Sequence, residues 1–388
     1  MHRRLRPSLL LSFAAFIVLG LPMGLLGVVW PSLRLTYDQP LGALGLLLLV
    51  STAGYAMCSA LSGPVARLAG RGWLLAGGSA LAVIGLLGIT LAPSWVLLLA
   101  AYLLLGAAGG VYDGAVNAHV ALTGGVRAMN VLHATWGLGA ALGPQLAYGL
   151  SHTAAGWRGG YAVILVCEAA MGIAFVLSRR QWDVRDERDR PAAAHDGRRR
   201  GWVLLGLSLA VFFLYTGVEG AAGQWSYSFL LGRGVAPGLA AGAVTGYWAA
   251  LTAGRFAVAF LPQRVGPARL VLGCLALCLL GAFALVTTPL GLPLFALGLA
   301  PIFPTLMTLT PARFGRGVAA SVAGYQVGAA TVGGGLLPAA MGLVLQLGGV
   351  TLLPAMLLGA TLVMAALIGA AELRVRRRAG EGLPPRVS

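Results

Sequence analysis

Residues 9–33 read LLLSFAAFIVLGLPMGLLGVVWPSL, a run without one charged side chain. An α-helix of about 20 apolar residues crosses the roughly 30 Å hydrocarbon core of a bilayer. Lipid offers the backbone no hydrogen-bond partner, so a segment held there must satisfy its own amides as a helix. Runs of this kind recur along the whole chain, divided by short Pro, Gly and Arg clusters. Their approximate limits are 9–33, 40–66, 73–92, 95–121, 128–151 and 157–178, then 202–231, 238–262, 269–288, 290–311, 317–346 and 350–372. The ninth and tenth are separated only around Pro289. The pattern predicts an all-α membrane protein with twelve transmembrane helices. The first run follows a basic start, MHRRLR, but extends to Trp30, which is too long for a signal peptide and makes it the first span.

Charge agrees. Only 10% of the 388 residues are charged, against about 25% in soluble domains. The formal net charge of +16 rests entirely on arginine, but these arginines sit in short loops and tails, with no basic stripe interleaved with aromatics, so nucleic acid is not an expected partner. Cys58, Cys167, Cys274 and Cys278 all lie in apolar runs without metal-ligand spacing, and no metal or other cofactor is expected. There is no P-loop, H-E-x-x-H or G-x-S-x-G sequence. ATP coupling and hydrolytic chemistry are therefore not expected, and the chain reads as a non-enzyme.

Arginine position also sets an orientation, because cytoplasmic loops retain basic residues. With the N-terminus inside, only Arg34, Arg158 and Arg233 fall outside; the remainder, Arg127, Arg255, Arg264, Arg269 and Arg313 among them, fall inside. Both termini are then cytoplasmic, in a multi-pass protein of the cell's inner (plasma) membrane. The stretch RRQWDVRDERDRPAAAHDGRRR (179–200) reads as a cytoplasmic linker, giving a first half over 1–178, a linker over 179–201 and a second half over 202–388 with a short basic tail. The halves look like repeats. Pro40 and Arg67 stand at the same separation as Pro237 and Arg264, and Gly139/Pro144 has a counterpart in Gly333/Pro338. Two six-span halves of this kind mark one large transporter architecture.

Five segments in order, YDGAVNAHV (112–120), MNVLHATWGLGAALGP (129–144), TGVEGAAGQWSYSFL (216–230), YWAALTAGRF (247–256) and LAPIFPTLMTLTPARFG (299–315), resemble the major facilitator superfamily, most closely the branch containing the L-fucose/proton symporter. The loop GPVARLAGRG (63–72) resembles the superfamily's cytoplasmic signature, with Gly63, Gly70 and Arg71 matching and Arg67 standing where that signature has Asp. The resemblance implies alternating access by a secondary transporter, and gating roles for Arg67, Arg71 and Arg264. It also aligns Asp113 with the acidic residue of span four and Asn117 with a nearby Asn. His133 stands where the symporter has Gln and Trp136 where it has Asn; GLLGVVWPSL (24–33) lacks its span-one Asp.

Carboxylates within spans are expensive and by default functional candidates. Three lie deep: Asp113, Glu168 and Glu219. Asp113 and Asn117 are four apart and share a helix face. Asp113 precedes Thr123, the expected turn, by as much as His133 follows it, which predicts two polar layers, Asp113/His133 and Asn117/Asn130, the first about 15 Å from the turn. A carboxylate beside an imidazole suits proton uptake and release. Asp113, His133 and Glu219 are accordingly the proton-coupling candidates. Asn117, Asn130, His133, Trp136, Tyr215, Gln224, Trp225, Tyr247, Tyr325 and Gln326 are the cargo-binding candidates, since amides and aromatic rings together recognise sugars. Glu168 and His119 are expected to be structural. Pro301 and Pro304 are expected to break span ten and contribute to gating. The expected function is movement of a small, sugar-like polar solute, coupled to protons, by a monomer in the lipid bilayer. The alternative is a proton-driven exporter of drugs or metabolites.

Overall fold

A computed structural model describes residues 7–182, 202–258, 266–315 and 317–380. The chain runs through α1 (Pro7–Thr36), α2 (Leu44–Ala69), α3 (Arg71–Leu91), α4 (Trp95–Thr123), α5 (Gly125–Ser151) and α6 (Arg158–Ser178). It continues through α7 (Trp202–Gly232), α8 (Pro237–Val258), α9 (Pro267–Ala284), α10 (Gly291–Leu299), α11 (Ile302–Thr308), α12 (Thr310–Phe314), α13 (Ala319–Gly348) and α14 (Leu353–Gly380). The described residues contain no strand. α10, α11 and α12 together occupy the tenth span. The helix stops at Ala300–Pro301 and restarts at Ile302, because a proline ring displaces the carbonyl four residues back and donates no amide hydrogen bond. The break expected from Pro301 and Pro304 is present.

Among the described residues, ten segments are long and apolar enough to cross a membrane, and α5 and α8 are not among them. These two spans carry Asn130, His133 and Arg255 and many glycines, and they pack on each other. A helix flanked by protein rather than lipid tails is free to be polar and small-sided. The two helices that hydropathy rates lowest thus mark the centre of the molecule.

Within the first six helices, α1 packs on α5, α2 on α4, and α3 on α4 and α6; within the rest, α7 packs on α13 and α14, and α9 on α10. One packing device is used twice. A Cβ at Gly139 on α5 would lie 2.0 Å from the Ile17 carbonyl on α1, and one at Gly333 on α13 would lie 2.0 Å from the Phe213 carbonyl on α7. Gly24 on α1 abuts Pro144, and Gly220 on α7 abuts Pro338. The Gly/Pro pairs that suggested a repeat occupy equivalent contacts in the two groups.

Contacts between the groups, among the described residues, lie at mid-height and toward the end away from the termini. The Gly42 amide donates to Gln346 Oε1 at 2.9 Å, and the Gln224 amide donates to the Met23 carbonyl at 2.8 Å. Gln145 on α5 reaches Thr245 on α8 at 3.3 Å. A Cβ at Gly45 on α2 would meet the Ala339 backbone at 2.7 Å. These approaches close the far end.

The first residues of the expected linker are docked rather than free. A short 3-10 turn (Arg179–Gln181) leads to Trp182, which is fully buried, donates to Ser178 Oγ at 3.0 Å and stacks 4.6 Å from the His119 ring. Residues 183–201 lie outside the described residues, as does Arg264.

Candidate functional site

Gly125, with φ +68, turns α4 back into α5 at a backbone angle that an L side chain disfavours. The hairpin it creates sets Asp113 on α4 beside His133 on α5, and the two side chains interact electrostatically. Asn117, one turn along α4, donates to Asp113 Oδ1 at 2.9 Å. Across the helix interface, the Tyr55 hydroxyl of α2 is a further hydrogen-bonding partner of the Asp113 carboxylate. A carboxylate held in a span by an amide and a phenol has its lone pairs directed and its cost lowered. Asn130 is exposed and Asn117 gives its amide to Asp113, so the second expected layer does not form as an Asn–Asn pair.

The second carboxylate belongs to the other group of helices. Glu219 on α7 is buried and forms an ion pair with Arg255 on α8 at 2.8 Å. Arg255 also donates to the Tyr215 hydroxyl at 3.5 Å, and the Tyr247 hydroxyl donates to the Glu219 main-chain carbonyl at 2.8 Å. Phe303, beside the break in the tenth span, packs on Tyr215 with ring centroids 5.5 Å apart. Loop counting groups Arg255 with the cytoplasmic arginines; it stands on the last described turn of α8, with its side chain aimed at a buried carboxylate. Its signal was legible as a lone arginine within the apolar run 238–262, since a charge inside a span needs a partner.

His133 lies within electrostatic range of Arg255 as well as Asp113. The titratable and charged groups therefore form a series, Asp113, His133, Arg255 and Glu219, that crosses from one group of helices to the other. Just beyond it, toward the closed end, Trp136 on α5 meets Trp248 on α8 edge to face at 5.8 Å. The Trp248 indole nitrogen is buried without a hydrogen-bond partner. These rings form a floor under the charged series.

Other candidates lie elsewhere. Trp225 is fully buried against α13 and donates to the Pro338 carbonyl at 2.9 Å. Gln224 ties α7 to α1 at the closed end. Gln326 is buried between Thr310 and Ser208, at 3.0 and 2.7 Å. Tyr325 is 62% exposed on the opposite side of that helix position. Arg67 is exposed, and Arg71 donates to the Trp182 carbonyl at 3.3 Å, tying the second loop to the end of α6. Glu168 on α6 accepts from the Tyr112 hydroxyl at 2.6 Å, and Tyr112 in turn meets Ser79 at 2.5 Å. His119 lies 3.1 Å from Ser8. Both are internal ties, as expected. Among the described residues no cluster of His, Cys, Asp or Glu could hold a metal ion.

Two groups of helices about a polar seam, closed at one end, define a membrane transporter. A family model described as Major Facilitator Superfamily matches residues 11–338, and the chain belongs to that superfamily. Solved structures share the fold. The nucleoside transporter NupG is 15% identical, covers 94% of this chain and 97% of its own, and superposes with a TM-score of 0.71. A bacterial homologue of the human lysosomal transporter Spinster, inward-facing and occupied, is 14% identical over 98% of each chain, with a TM-score of 0.69. FucP in the outward conformation, from the protein titled the E. coli fucose:proton symporter, is 18% identical over 93% of this chain and 98% of its own, with a TM-score of 0.59. A search of curated proteins found no match.

Proposed function

We propose that this transporter moves a small, sugar-like polar solute by alternating access, coupled to protons through Asp113, with both termini in the cytoplasm. The observation that carries the reading is the series from Asp113 through His133 and Arg255 to Glu219, which spans the seam that must open and close. Protonation of Asp113 removes the charge that faces His133, and a change there alters the balance at Arg255 on the other half. A site bridging both halves responds to cargo and to rocking together. The amides of Asn117 and Asn130 and the rings of Trp136, Tyr215 and Tyr247 suit hydroxyl-bearing cargo with apolar faces. With cytoplasmic termini, the closed far end faces outward. Arg255 neutralises Glu219, which leaves one unpaired carboxylate rather than two and weighs against the exporter of cationic compounds.

The test is uptake into proteoliposomes with an imposed pH gradient. Sugars should accumulate when the outside is acid, and Asp113→Asn should lose accumulation while retaining counterflow exchange. Normal accumulation by that variant removes Asp113 from coupling; failure of every sugar to accumulate removes symport.

A further inference from the structure

On the outer side of the second group, α9, α11, α12 and α14 enclose a groove of about 280 Å³ that shares no lining residue with the charged seam. Its walls are apolar: Leu272 and Leu275 of α9, Leu306 and Leu309, and Ile368 of α14. Leu272 is 66% exposed, so the groove opens sideways, where lipid lies. It extends along α14 from Ala365 to Arg376, about 16 Å at 1.5 Å per residue, close to half the roughly 30 Å hydrocarbon core and so the depth of one leaflet.

The mouth, at the end bearing the termini, is basic. Arg313 and Glu372 face each other across it as an ion pair. Arg376 lines the groove, and Arg269 follows its rim residues Pro267 and Ala268 on the first turn of α9. Neither Arg269 nor Arg376 forms an ion pair with a carboxylate among the described residues. An apolar slot one leaflet deep, ending in cations that outnumber the acid beside them, matches a single molecular shape: an acyl chain below a negative headgroup. A zwitterionic lipid fills the slot but gains nothing from the uncompensated charge.

We propose that this groove binds an anionic phospholipid of the leaflet on the side of the termini, with one acyl chain between α9 and α14 and the phosphate at Arg376 and Arg269. The site is independent of cargo and protons. Its place on α11 and α14, beside the broken tenth span, puts the lipid against the segment that carries Phe303.

The experiment uses the full chain in mild detergent, with equal amounts of dioleoyl phosphatidylglycerol and dioleoyl phosphatidylcholine added, read by native mass spectrometry. The wild type should retain the glycerol lipid several-fold over the choline lipid. Arg376→Gln and Arg269→Gln, both at exposed positions, should each lower that retention about five-fold, and Leu272→Trp, which fills the slot, should abolish it for both lipids. Equal retention of the two lipids by the wild type overturns the proposal. So does unchanged phosphatidylglycerol retention by Arg376→Gln or by Leu272→Trp, which would place the lipid elsewhere.

Discussion

Replacing Arg255 by Gln leaves the Glu219 carboxylate buried at the end of a 2.8 Å ion pair with no cation to meet it. Breaking a buried pair by removing one member costs about 3–5 kcal/mol, mostly the penalty of the stranded charge. The Arg255 side chain is 31% exposed, so water screens part of the interaction and the lower end, about 3 kcal/mol, is expected. That corresponds to roughly a hundred-fold loss in the folding equilibrium. Glu219→Gln strands the arginine instead and should cost less, because the partly exposed guanidinium reaches water. In the double variant Glu219→Gln/Arg255→Gln no charge is stranded, and two amides can still hydrogen-bond. Its stability should return to within about 1 kcal/mol of the wild type. Transport should nevertheless be lost in the two variants that lack Arg255, since His133 then faces no cation across the seam. The measurements are midpoints of thermal inactivation in detergent, followed by size-exclusion chromatography, and counterflow in proteoliposomes. If the two single losses simply add in the double variant, the residues are not coupled and the ion pair does not organise the seam. Wild-type transport by Arg255→Gln would refute its place in the site.

Further outcomes follow from other contacts. Gly45→Leu would drive a side chain into the Ala339 backbone, 2.7 Å from the new Cβ, and should hold the far end open; a cysteine placed at Thr52 should then react faster with an impermeant maleimide than in the Gly45 background. Gly333→Leu meets the Phe213 carbonyl within one group and should lower stability without such a change in labelling. Tyr55→Phe removes a hydrogen bond to Asp113, worth about 1.5–3 kcal/mol when the acceptor is charged, and should move the pH dependence of uptake while leaving the yield of folded protein unchanged. Glu168→Gln keeps an acceptor for Tyr112 and should transport normally, whereas Glu168→Leu removes that hydrogen bond, leaves the hydroxyl only Ser79, and should lower thermal stability by about 1 kcal/mol.

Helix number and limits were legible in the sequence because lipid imposes one rule on every segment: apolar outside, hydrogen bonds inside. The Asp113/His133 neighbourhood was legible for a similar reason, since a tight hairpin fixes residues equally distant from its turn. The Gly/Pro repeat pointed correctly to recurring helix contacts, because glycine is retained where two backbones touch. What belongs to one helix or one hairpin can be counted along the chain.

Partners brought from distant segments could not be counted that way. Arg255 lies on the helix after that of Glu219, but the two stand at unequal distances from the α7–α8 turn, so its charge signals the need for a partner without naming which one. Trp225, Gln224 and Gln326 share polar helix faces with true seam residues, yet each is consumed by a neighbouring backbone or side chain. Tyr55 sits in a span with no acid and becomes visible only when α2 is laid against α4. The closed far end is likewise a property of α2 against α13 and α5 against α8. Sequence determined which segments enter the membrane and which carry charge; the crossing of helices far apart in the chain decided which charges meet, because hydropathy acts on each segment alone and pairing depends on its neighbours.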